Sequence, residues 1–412
     1  MPTSERTKKT TALRPPAEDG LRYHLAEDTI DRSEVDRLVE WLKGYPHLTK
    51  GPLTVQFEAK WARWLGRKYS VFCNSGSSAN LLMYYVLLAS GRLKNKKVVV
   101  PSCGWITSVA PAIQFGFEPI MCETDPETFG LDLNHLEKIL KQDKPQTVVL
   151  VQPVGVPHKM KDVMKLKEKY GFFLLEDTCA AVGSETSWAK AGTFGDLSAF
   201  SFYFGHQAST IEGGMVCTDD AELCNLLFML RSHGWSKDLD ETSHARLVKK
   251  HEVDDFHRPF IFYEPGFNLR STDLNAFIGI GQVDKMGWVV SRRHANHMLY
   301  KKKFEPRLRV QTWNDPGAKI SSIQFAVLAE STAERRKVVE ALDANAIESR
   351  IFTAGHLGWH PFWYTRFGKP KFPVAERLYR TGLFLPNHPV YEASDIEFIA
   401  DVVLEAVSRS RK

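Results

Sequence analysis

Leu174-Leu-Glu-Asp177-Thr-Cys-Ala-Ala-Val-Gly183 is the stretch most indicative of the fold. It is followed by a second informative stretch, Ser201-Phe-Tyr-Phe-Gly-His206-Gln-Ala-Ser-Thr-Ile-Glu-Gly-Gly214-Met-Val. The first predicts an apolar strand that delivers the carboxylate of Asp177 to its carboxyl end. The second predicts a strand end, a turn that carries His206, and a glycine pair that leads into another strand. An acid and an imidazole at two strand ends predict a site that binds a protonated heteroaromatic ring.

Short apolar strands alternate with helices around this stretch. A helix is expected at 31–41, another at 75–90 and a third at 160–170, and strands are expected at 97–101, 147–152, 172–176, 197–202 and 215–218. Such an alternation is typical of an α/β fold with a largely parallel sheet that is buried on both faces. Ligands of such sheets bind at the carboxyl ends of the strands.

The pattern changes near Met286, where a long charged helix is predicted. Strands at 321–328 and 348–352, a helix at 332–344 and a terminal helix from Ser394 are expected to follow. We therefore predict three parts, namely a disordered extension over 1–22, a large cofactor-binding domain over 23–285, and a smaller C-terminal α+β domain over 286–412.

Composition narrows the class of protein. The 412 residues are 43% hydrophobic and 25% charged, as in soluble globular proteins, and the net charge of +5 comes from scattered Lys and Arg, which argues against a nucleic-acid surface. The six cysteines form no CxxC or CxC pair, which is typical of reduced thiols in a cytosolic protein. No apolar run is long enough for a membrane helix, and the N-terminus lacks the apolar region of a secretory signal. A cytoplasmic protein without membrane contact is expected.

Individual residues of the candidate site each have a second interpretation. The run Asn74-Ser-Gly-Ser-Ser78 opens a helix and predicts a phosphate site, but it is also a common helix cap. Trp105 suits stacking on a flat ring or ordinary packing. Asp177 alone could cap a turn, and His206 alone could be structural. No HxxxH or HxH spacing is present, so no metal site is predicted.

Taken together, these motifs resemble those of the DegT/StrS-type sugar aminotransferases, over roughly residues 25 to 410. The resemblance implies the fold-type-I architecture of pyridoxal phosphate (PLP) enzymes, with a large domain and a smaller C-terminal one. The matching motifs are Asn74-Ser-Gly-Ser-Ser, Glu176-Asp177, Ser201-Phe-Tyr-Phe-Gly-His206, Glu212-Gly-Gly214, Gly266-Phe-Asn268-Leu-Arg-Ser-Thr-Asp273-Leu-Asn-Ala276 and Leu385-Pro-Asn-His-Pro389.

In that family, the position of His206 holds the lysine that bonds covalently to PLP. The histidine resembles the sugar 3-dehydratase branch, and it implies that PLP and its amino form, pyridoxamine phosphate (PMP), are bound without a covalent bond. His206 is the implied catalytic base, because an imidazole that titrates near pH 6.5 suits proton transfer. Asp177 would keep the pyridine nitrogen protonated, so that the ring accepts electrons.

The resemblance assigns the remaining site residues one by one. Gly76, Ser77 and Ser201 match phosphate contacts, and Trp105 matches the ring-stacking residue. The resemblance also assigns Asn268 as a cofactor ligand and His233 as a substrate contact. The family supplies both residues from the neighbouring subunit, which implies a homodimer with shared active sites. Arg350 could pair with a carboxylate of glutamate or with a nucleotide phosphate.

The implied reaction is a glutamate-dependent dehydration at C3 of a nucleotide-linked 4-keto-6-deoxyhexose, which makes the chain a lyase of deoxysugar and lipopolysaccharide biosynthesis. It would release 2-oxoglutarate, ammonia and a 3,6-dideoxy-4-keto sugar. The resemblance favours GDP-4-keto-6-deoxy-D-mannose as the substrate, while the residues themselves leave GDP, CDP and dTDP open. Two alternatives remain, a nucleotide-sugar aminotransferase and a ligand-binding homologue without catalytic activity.

Two departures from the family and one related branch are relevant to the site. Ala180 stands where many members have a polar residue near the ring, and Gly355-His356 replaces the usual Gly-Asn. A related dehydratase branch carries a [2Fe–2S] cluster and needs a reductase, but the nearest cysteines here, Cys217 and Cys224, are seven residues apart. We therefore expect neither an iron–sulfur cluster nor a reductase partner.

Overall fold

A computed structural model describes residues 14–305 and 307–411. The helices are α1 Arg32–Leu42, α2 Pro52–Leu65, α3 Gly76–Ala89, α4 Ala110–Gln114, α5 Leu133–Gln142, α6 Met160–Tyr170, α7 Ala221–Arg231, α8 Glu241–Lys250, α9 Asp273–Phe304, α10 Thr332–Ala344, α11 Pro361–Phe367, α12 Pro373–Thr381 and α13 Ala393–Ser410. The strands are β1 Tyr69–Cys73, β2 Lys97–Pro101, β3 Glu118–Cys122, β4 Thr147–Val151, β5 Phe173–Asp177, β6 Leu197–Ser201, β7 Gly214–Thr218, β8 Arg309–Val310, β9 Gln324–Leu328, β10 Arg350–Ile351 and β11 Gly382–Pro386.

The large sheet contains seven strands in the order β1-β7-β6-β5-β4-β2-β3. Its pairs are parallel except those of β7, which runs antiparallel to both β1 and β6. The strands β4, β6 and β7 are buried along their whole length, as expected for a sheet covered on both faces. The predicted α/β class with a mostly parallel sheet is confirmed.

The parallel strands place several loops at one edge of this sheet. The carboxyl ends of β1, β2, β5 and β6 lead into the segments that carry Ser75, Trp105, Asp177 and His206. Because β7 is antiparallel, its first residue, Gly214, lies at the same edge, opposite Cys73. Residues far apart in the sequence therefore meet at one site.

The second sheet is antiparallel and contains β10, β11, β9 and β8 in that order. The long helix expected from Met286 already begins at Asp273, where the Thr272 side chain accepts a hydrogen bond from the Asn275 backbone. The predicted domain boundary between 285 and 286 lies inside this helix. The end of α9 packs with α13 and β9 around Tyr300, Phe304 and Phe325, which gives the second sheet its own core.

The extension predicted over 1–22 lies, for residues 1–13, outside the described residues. In residues 14–22, Arg14 forms an ion pair with Glu27 at 3.3 Å, and the Arg22 backbone donates to the Ala346 carbonyl at 2.7 Å. All six cysteines are free thiols. Among the described residues, no helix combines the length and the apolar character needed to span a membrane.

Candidate active site

A cavity of about 510 Å³ lies at the carboxyl edge of the large sheet and is closed on one side by the second sheet. It brings together seven of the nine site residues predicted from the sequence. These are Gly76, Ser77, Trp105, Asp177, Ser201, His206 and Arg350. The other two, His233 and Asn268, do not line it.

The start of α3 forms an anion-binding corner of the cavity. Ser75 caps the helix by accepting a hydrogen bond from the Ser78 backbone at 3.1 Å, while the hydroxyl-bearing Ser77 faces solvent. A Cβ on Gly76 would lie 2.5 Å from the Ser201 Cβ, so glycine is required for the close approach of helix and strand end. Free backbone N–H groups and two serines at a helix N-terminus are suited to a phosphate.

Gly214 completes this corner from the other side. A Cβ there would lie 2.1 Å from the Ser75 carbonyl oxygen and 2.7 Å from the Gly76 nitrogen. Both contacts are with backbone atoms, which no change of side-chain rotamer can relieve. The glycine pair recognised in the sequence therefore allows β7 to pack directly against the start of α3.

Asp177 is 5% exposed and is held by three hydrogen bonds. Its Oδ2 accepts from Ser108 Oγ at 2.6 Å and from Asn80 Nδ2 at 2.8 Å, and its Oδ1 accepts from the Cys179 backbone at 3.1 Å. These donors orient the carboxylate at the floor of the cavity. The sequence analysis missed both Asn80 and Ser108. The position of Asn80, four residues after Gly76 on the same helix face, was the available signal.

The neighbouring Glu176 is fully buried and faces away from the cavity. Its carboxylate accepts backbone hydrogen bonds from Gly192 at 3.0 Å, Phe194 at 2.7 Å and Gly195 at 2.6 Å. Burial raises the pKa of this carboxyl, and the backbone donors act in the opposite direction. Glu176 thus fixes the loop before β6, and only Asp177 of the Glu-Asp pair faces the cavity.

His206 lies on the turn after β6, where its backbone donates to the Tyr203 carbonyl at 2.9 Å. Its Nδ1 is buried and has no hydrogen-bond partner among the described residues. Burial, opposed by the charge of Asp177 and assisted by that of Arg293, lowers the pKa of His206 to about 4. The sequence suggested a value near 6.5. The structure thus places a neutral imidazole here at physiological pH, in the form that accepts a proton.

Trp105 and Arg350 form the outer wall of the cavity. The indole is 52% exposed, and the Arg350 Cζ lies 6.0 Å from its ring centroid. Arg350 also approaches the Phe384 ring, at 5.4 Å. It is the one Lys or Arg among the described residues that line the cavity, so a single cation faces the acids Asp177 and Glu212.

His233 and Asn268 lie together outside the cavity, next to the edge strand β1. Their segments form an isolated bridge between Ser232 and Asn268. Arg270 joins them, because its Nε donates to Asn268 Oδ1 at 3.0 Å and its Nη2 lies 3.4 Å from His233 Nε2. Within one subunit, neither residue reaches the Asp177 and His206 site.

The structure also shows what the two departures from the family do. The Ala180 methyl lines the cavity, and its carbonyl oxygen accepts from Gln207 Nε2 at 2.8 Å. His356 is fully buried and stacks between Trp359 and Phe372, at ring distances of 5.3 and 5.8 Å. It therefore packs in the core rather than lining the cavity.

Further residues of the cavity were not singled out from the sequence. They lie before α1, on the turn before His206, and on or next to the second sheet, and they include Ala26, Tyr203, Gln324, Thr353 and Phe384. Only the packing of the second sheet against the first brings the last three into the site. The cavity as a whole combines an anion-binding helix start, an oriented carboxylate, an exposed indole and a neutral base. That combination can hold a phosphorylated cationic ring and transfer protons beside it.

The model of the DegT/DnrJ/EryC1/StrS aminotransferase family matches residues 28–404. The match covers most of the chain and includes every element that contributes to the cavity. The chain therefore belongs to this family.

Within the family, the chain is similar to several sugar 3-dehydratases. A GDP-4-keto-6-deoxy-D-mannose 3-dehydratase of Yersinia pseudotuberculosis is 30% identical over 93% of this chain and 98% of its own length. The Escherichia coli enzyme of that name, solved with bound hydrated PLP, has a TM-score of 0.85 at 29% identity, covering 93% of this chain and 99% of the other. A GDP-4-keto-6-deoxymannose-3-dehydratase structure with a trapped PLP-glutamate geminal diamine has a TM-score of 0.83 at 30% identity, covering 92% and 100%.

Proposed function

We propose that this chain is a PLP- and glutamate-dependent dehydratase that removes the C3 hydroxyl of GDP-4-keto-6-deoxy-D-mannose. The products are a GDP-linked 3,6-dideoxy-4-keto sugar, ammonia and 2-oxoglutarate. The observation that carries this proposal is His206, which stands in place of the family's lysine in a cavity whose other cofactor motifs are present. An aminotransferase of this family needs that lysine, so the alternative of amino-sugar synthesis is less well supported.

PLP and PMP fit the residues of the cavity on three grounds. The close approach of Gly76 to Ser201 leaves no room for a Cβ on residue 76. With glycine at this position, no side chain covers the backbone N–H groups at the start of α3, and these can bind a phosphate. Asp177 is aligned by its own donors and has the charge that a protonated pyridine nitrogen requires. The Trp105 indole is exposed, and among the described residues no aromatic ring stacks on it, so its face is available to a flat ligand. When bound, this cofactor would serve as an electron sink.

Each residue of this set has a proposed task. Ser77 and Ser201 bind the phosphate, Asp177 binds the ring nitrogen, and Trp105 covers the ring face. His206 is the histidine that lines the cavity, so we assign it the proton transfer from the Cα of glutamate. Its depressed pKa keeps it unprotonated and ready to accept that proton. An imidazole forms no lasting covalent bond with the cofactor, which is therefore held by the other contacts alone.

The substrate groups have fewer assigned contacts. Arg350 is the cation on the cavity wall, and it is suited to a carboxylate of glutamate or to a phosphate of the nucleotide. We also propose that the active unit is a homodimer in which Asn268 and His233 serve the partner's cavity. Their position outside their own subunit's cavity, on the edge beside β1, supports this assignment.

We propose that the reaction needs neither an iron–sulfur cluster nor a reductase. Five of the six cysteines are buried, and all six are free thiols. No three His, Cys, Asp or Glu side chains are grouped for a metal in the part of the chain that the structure describes. The amino group of glutamate is then the one co-reactant required.

Product analysis tests the proposal. Purified protein, PLP and glutamate are incubated with GDP-, CDP- and dTDP-linked 4-keto-6-deoxyhexoses, without reductase, and the products are identified by mass. We expect loss of one oxygen without gain of nitrogen, and the highest rate with the GDP sugar. Gain of an amino group would support the aminotransferase instead. If glutamate gives no 2-oxoglutarate, the chain is a ligand-binding homologue.

The His206→Asn variant tests the assignment of the base. It should still bind PMP, because the phosphate and ring contacts remain, while the conversion of glutamate falls by roughly 10²-fold or more. His257→Asn is the matched control, because His257 is an exposed histidine that pairs with Asp254 on the surface. Turnover of His206→Asn within a few-fold of the parent would show that another group is the base.

A further inference from the structure

Gln207, the residue after the proposed base, is fully buried and does not line the cavity. Its Nε2 donates two hydrogen bonds, to the Ala180 carbonyl at 2.8 Å and to the Ser321 carbonyl at 2.7 Å. Ala180 follows β5 of the large sheet, whereas Ser321 precedes β9 of the second sheet. One amide therefore connects the turn that carries His206 to both parts of the fold.

The surroundings of this amide are built around the two carbonyls. A Cβ on Gly155 would lie 2.7 Å from the Ala180 oxygen and 2.9 Å from the Ser321 oxygen, so a glycine is needed beside them. The Ser321 backbone in turn donates to Ser184 Oγ at 2.9 Å. Ser184 Oγ donates to the Gly155 carbonyl at 2.6 Å. The segment of the Ser321 acceptor is thus held in place by bonds of its own.

His206 has no comparable support. Its Nδ1 is buried without a hydrogen-bond partner among the described residues, and its nearest aromatic ring, Tyr203, is 6.3 Å away. Catalytic histidines are commonly oriented by a bond to the second ring nitrogen. Here the ring position depends on the backbone turn instead, and the Gln207 side chain bonds this turn to segments of both sheets.

We propose that Gln207 is a positioning residue that sets the location of the His206 imidazole relative to the reacting carbon. This inference rests on the proposed function, because it concerns the proton transfer assigned to His206. A displacement of about 1 Å at a proton-transfer site can reduce the rate by 10²-fold. Gln207 acts on the rate of that step, while Gly76 and Asp177, which are held by contacts of their own, keep the affinity for PLP.

Gln207→Met tests this proposal, because methionine has a similar length and donates no hydrogen bond. We expect kcat for the conversion of glutamate to 2-oxoglutarate, measured with the GDP-linked 4-keto-6-deoxyhexose present as the second substrate, to fall by roughly 10- to 100-fold. KM for glutamate and the dissociation constant for PLP, measured by absorbance titration, should stay within about threefold. Gln311→Met is the matched control, because Gln311 is 2% exposed and its Nε2 donates to the carbonyls of Thr128 at 2.6 Å and Pro153 at 3.0 Å.

Both variants lose two buried hydrogen bonds, so both should melt at a lower temperature, but only Gln207→Met should lose kcat. Equal losses of kcat in the two variants would overturn the proposal, as would an unchanged kcat in Gln207→Met. A parent protein that converts no glutamate would count against the proposed function. Parent activity that is matched by Gln207→Met would count against this inference alone.

Gln207→Glu provides a second test that does not depend on how Gln207→Met folds. An ionised carboxylate would be repelled by the two carbonyl oxygens, whereas the protonated form can donate one hydrogen bond. We therefore expect kcat of Gln207→Glu to rise toward the parent value as the pH falls, through an ionisation that the parent lacks. A pH profile parallel to that of the parent would contradict the positioning role.

Discussion

Replacing Gly76 by alanine should disturb the phosphate corner and so show how much this corner contributes to cofactor binding. The new Cβ would lie 2.5 Å from the Ser201 Cβ, 2.8 Å from its Oγ and 3.1 Å from its Cα. Carbon atoms in contact normally stay 3.5 to 4.0 Å apart, so the helix start and the strand end must separate by about 1 Å. This displacement moves both serines of the corner, Ser77 and Ser201, away from a common ligand.

Two effects of Gly76→Ala can be estimated. Crowding of a packed contact destabilises the fold by about 1–3 kcal/mol, which should appear as a lower melting temperature. Loss of a hydrogen bond to a charged phosphate weakens binding by about 10- to 100-fold. Absorbance titration with PLP measures the second effect, and thermal unfolding with and without PLP measures the first. In the variant, PLP should raise the melting temperature less than in the parent.

Gly287→Ala is the matched control for this experiment. Gly287 lies inside α9, and a Cβ there would have no atom within 4 Å. This replacement should raise the stability by roughly 0.5–1 kcal/mol and leave PLP binding unchanged. If Gly76→Ala binds PLP with the parent's affinity and melts at the same temperature, the reasoning about the corner is wrong.

Three further outcomes are expected. Ser108→Ala removes the 2.6 Å donor to Asp177, so the PLP dissociation constant should rise about tenfold, and an unchanged value would contradict the role of that bond. Burial lowers the pKa of His158 to about 4. Between pH 6.5 and 4, the unfolded chain therefore binds a proton at this residue that the folded chain does not, so the stability of the fold decreases as the pH falls. In urea unfolding, His158→Asn should flatten this slope, and a slope equal to the parent's would refute the assignment. The His206→Asn and Asn268→Ala variants should each be inactive alone. When the two kinds of subunit are combined and mixed dimers form, about a quarter of the parent activity should return, because one shared site in each mixed dimer is intact. No recovery would argue against shared sites.

The order of strands, helices and motifs was readable from the sequence because those signals are local. Apolar runs such as Thr147–Val151 and glycine pairs such as Gly213 and Gly214 reflect burial and close backbone contact within a few residues. The strands β1, β3, β8 and β11 were not anticipated. Tyr69–Cys73 begins with an exposed residue and Glu118–Cys122 contains a proline, so their strand character depends on pairing with distant partners.

The site was predicted where parallel strands end, and six of its residues meet there because the carboxyl ends of such strands share an edge. The seventh, Arg350, comes from the second sheet. The contacts around those residues were not predictable in this way. Asn80 and Ser108 reach Asp177 across 97 and 69 residues of sequence. The helix spacing from Gly76 could place Asn80 on the face toward the site, but it does not identify Asp177 as its partner, and no local pattern points to Ser108. The same applies to Gln207, whose acceptors lie on segments next to two different sheets.

The sequence by itself determined the chemistry that is available, namely a histidine where the family has a lysine, an acid at a strand end, and glycines at the helix start. Tertiary structure alone decided how those groups behave. Burial lowers the pKa of His206 to about 4, and packing leaves His233 and Asn268 outside the cavity. The reason is physical, since residue identity sets which groups are present, whereas solvation and distance depend on how remote segments pack.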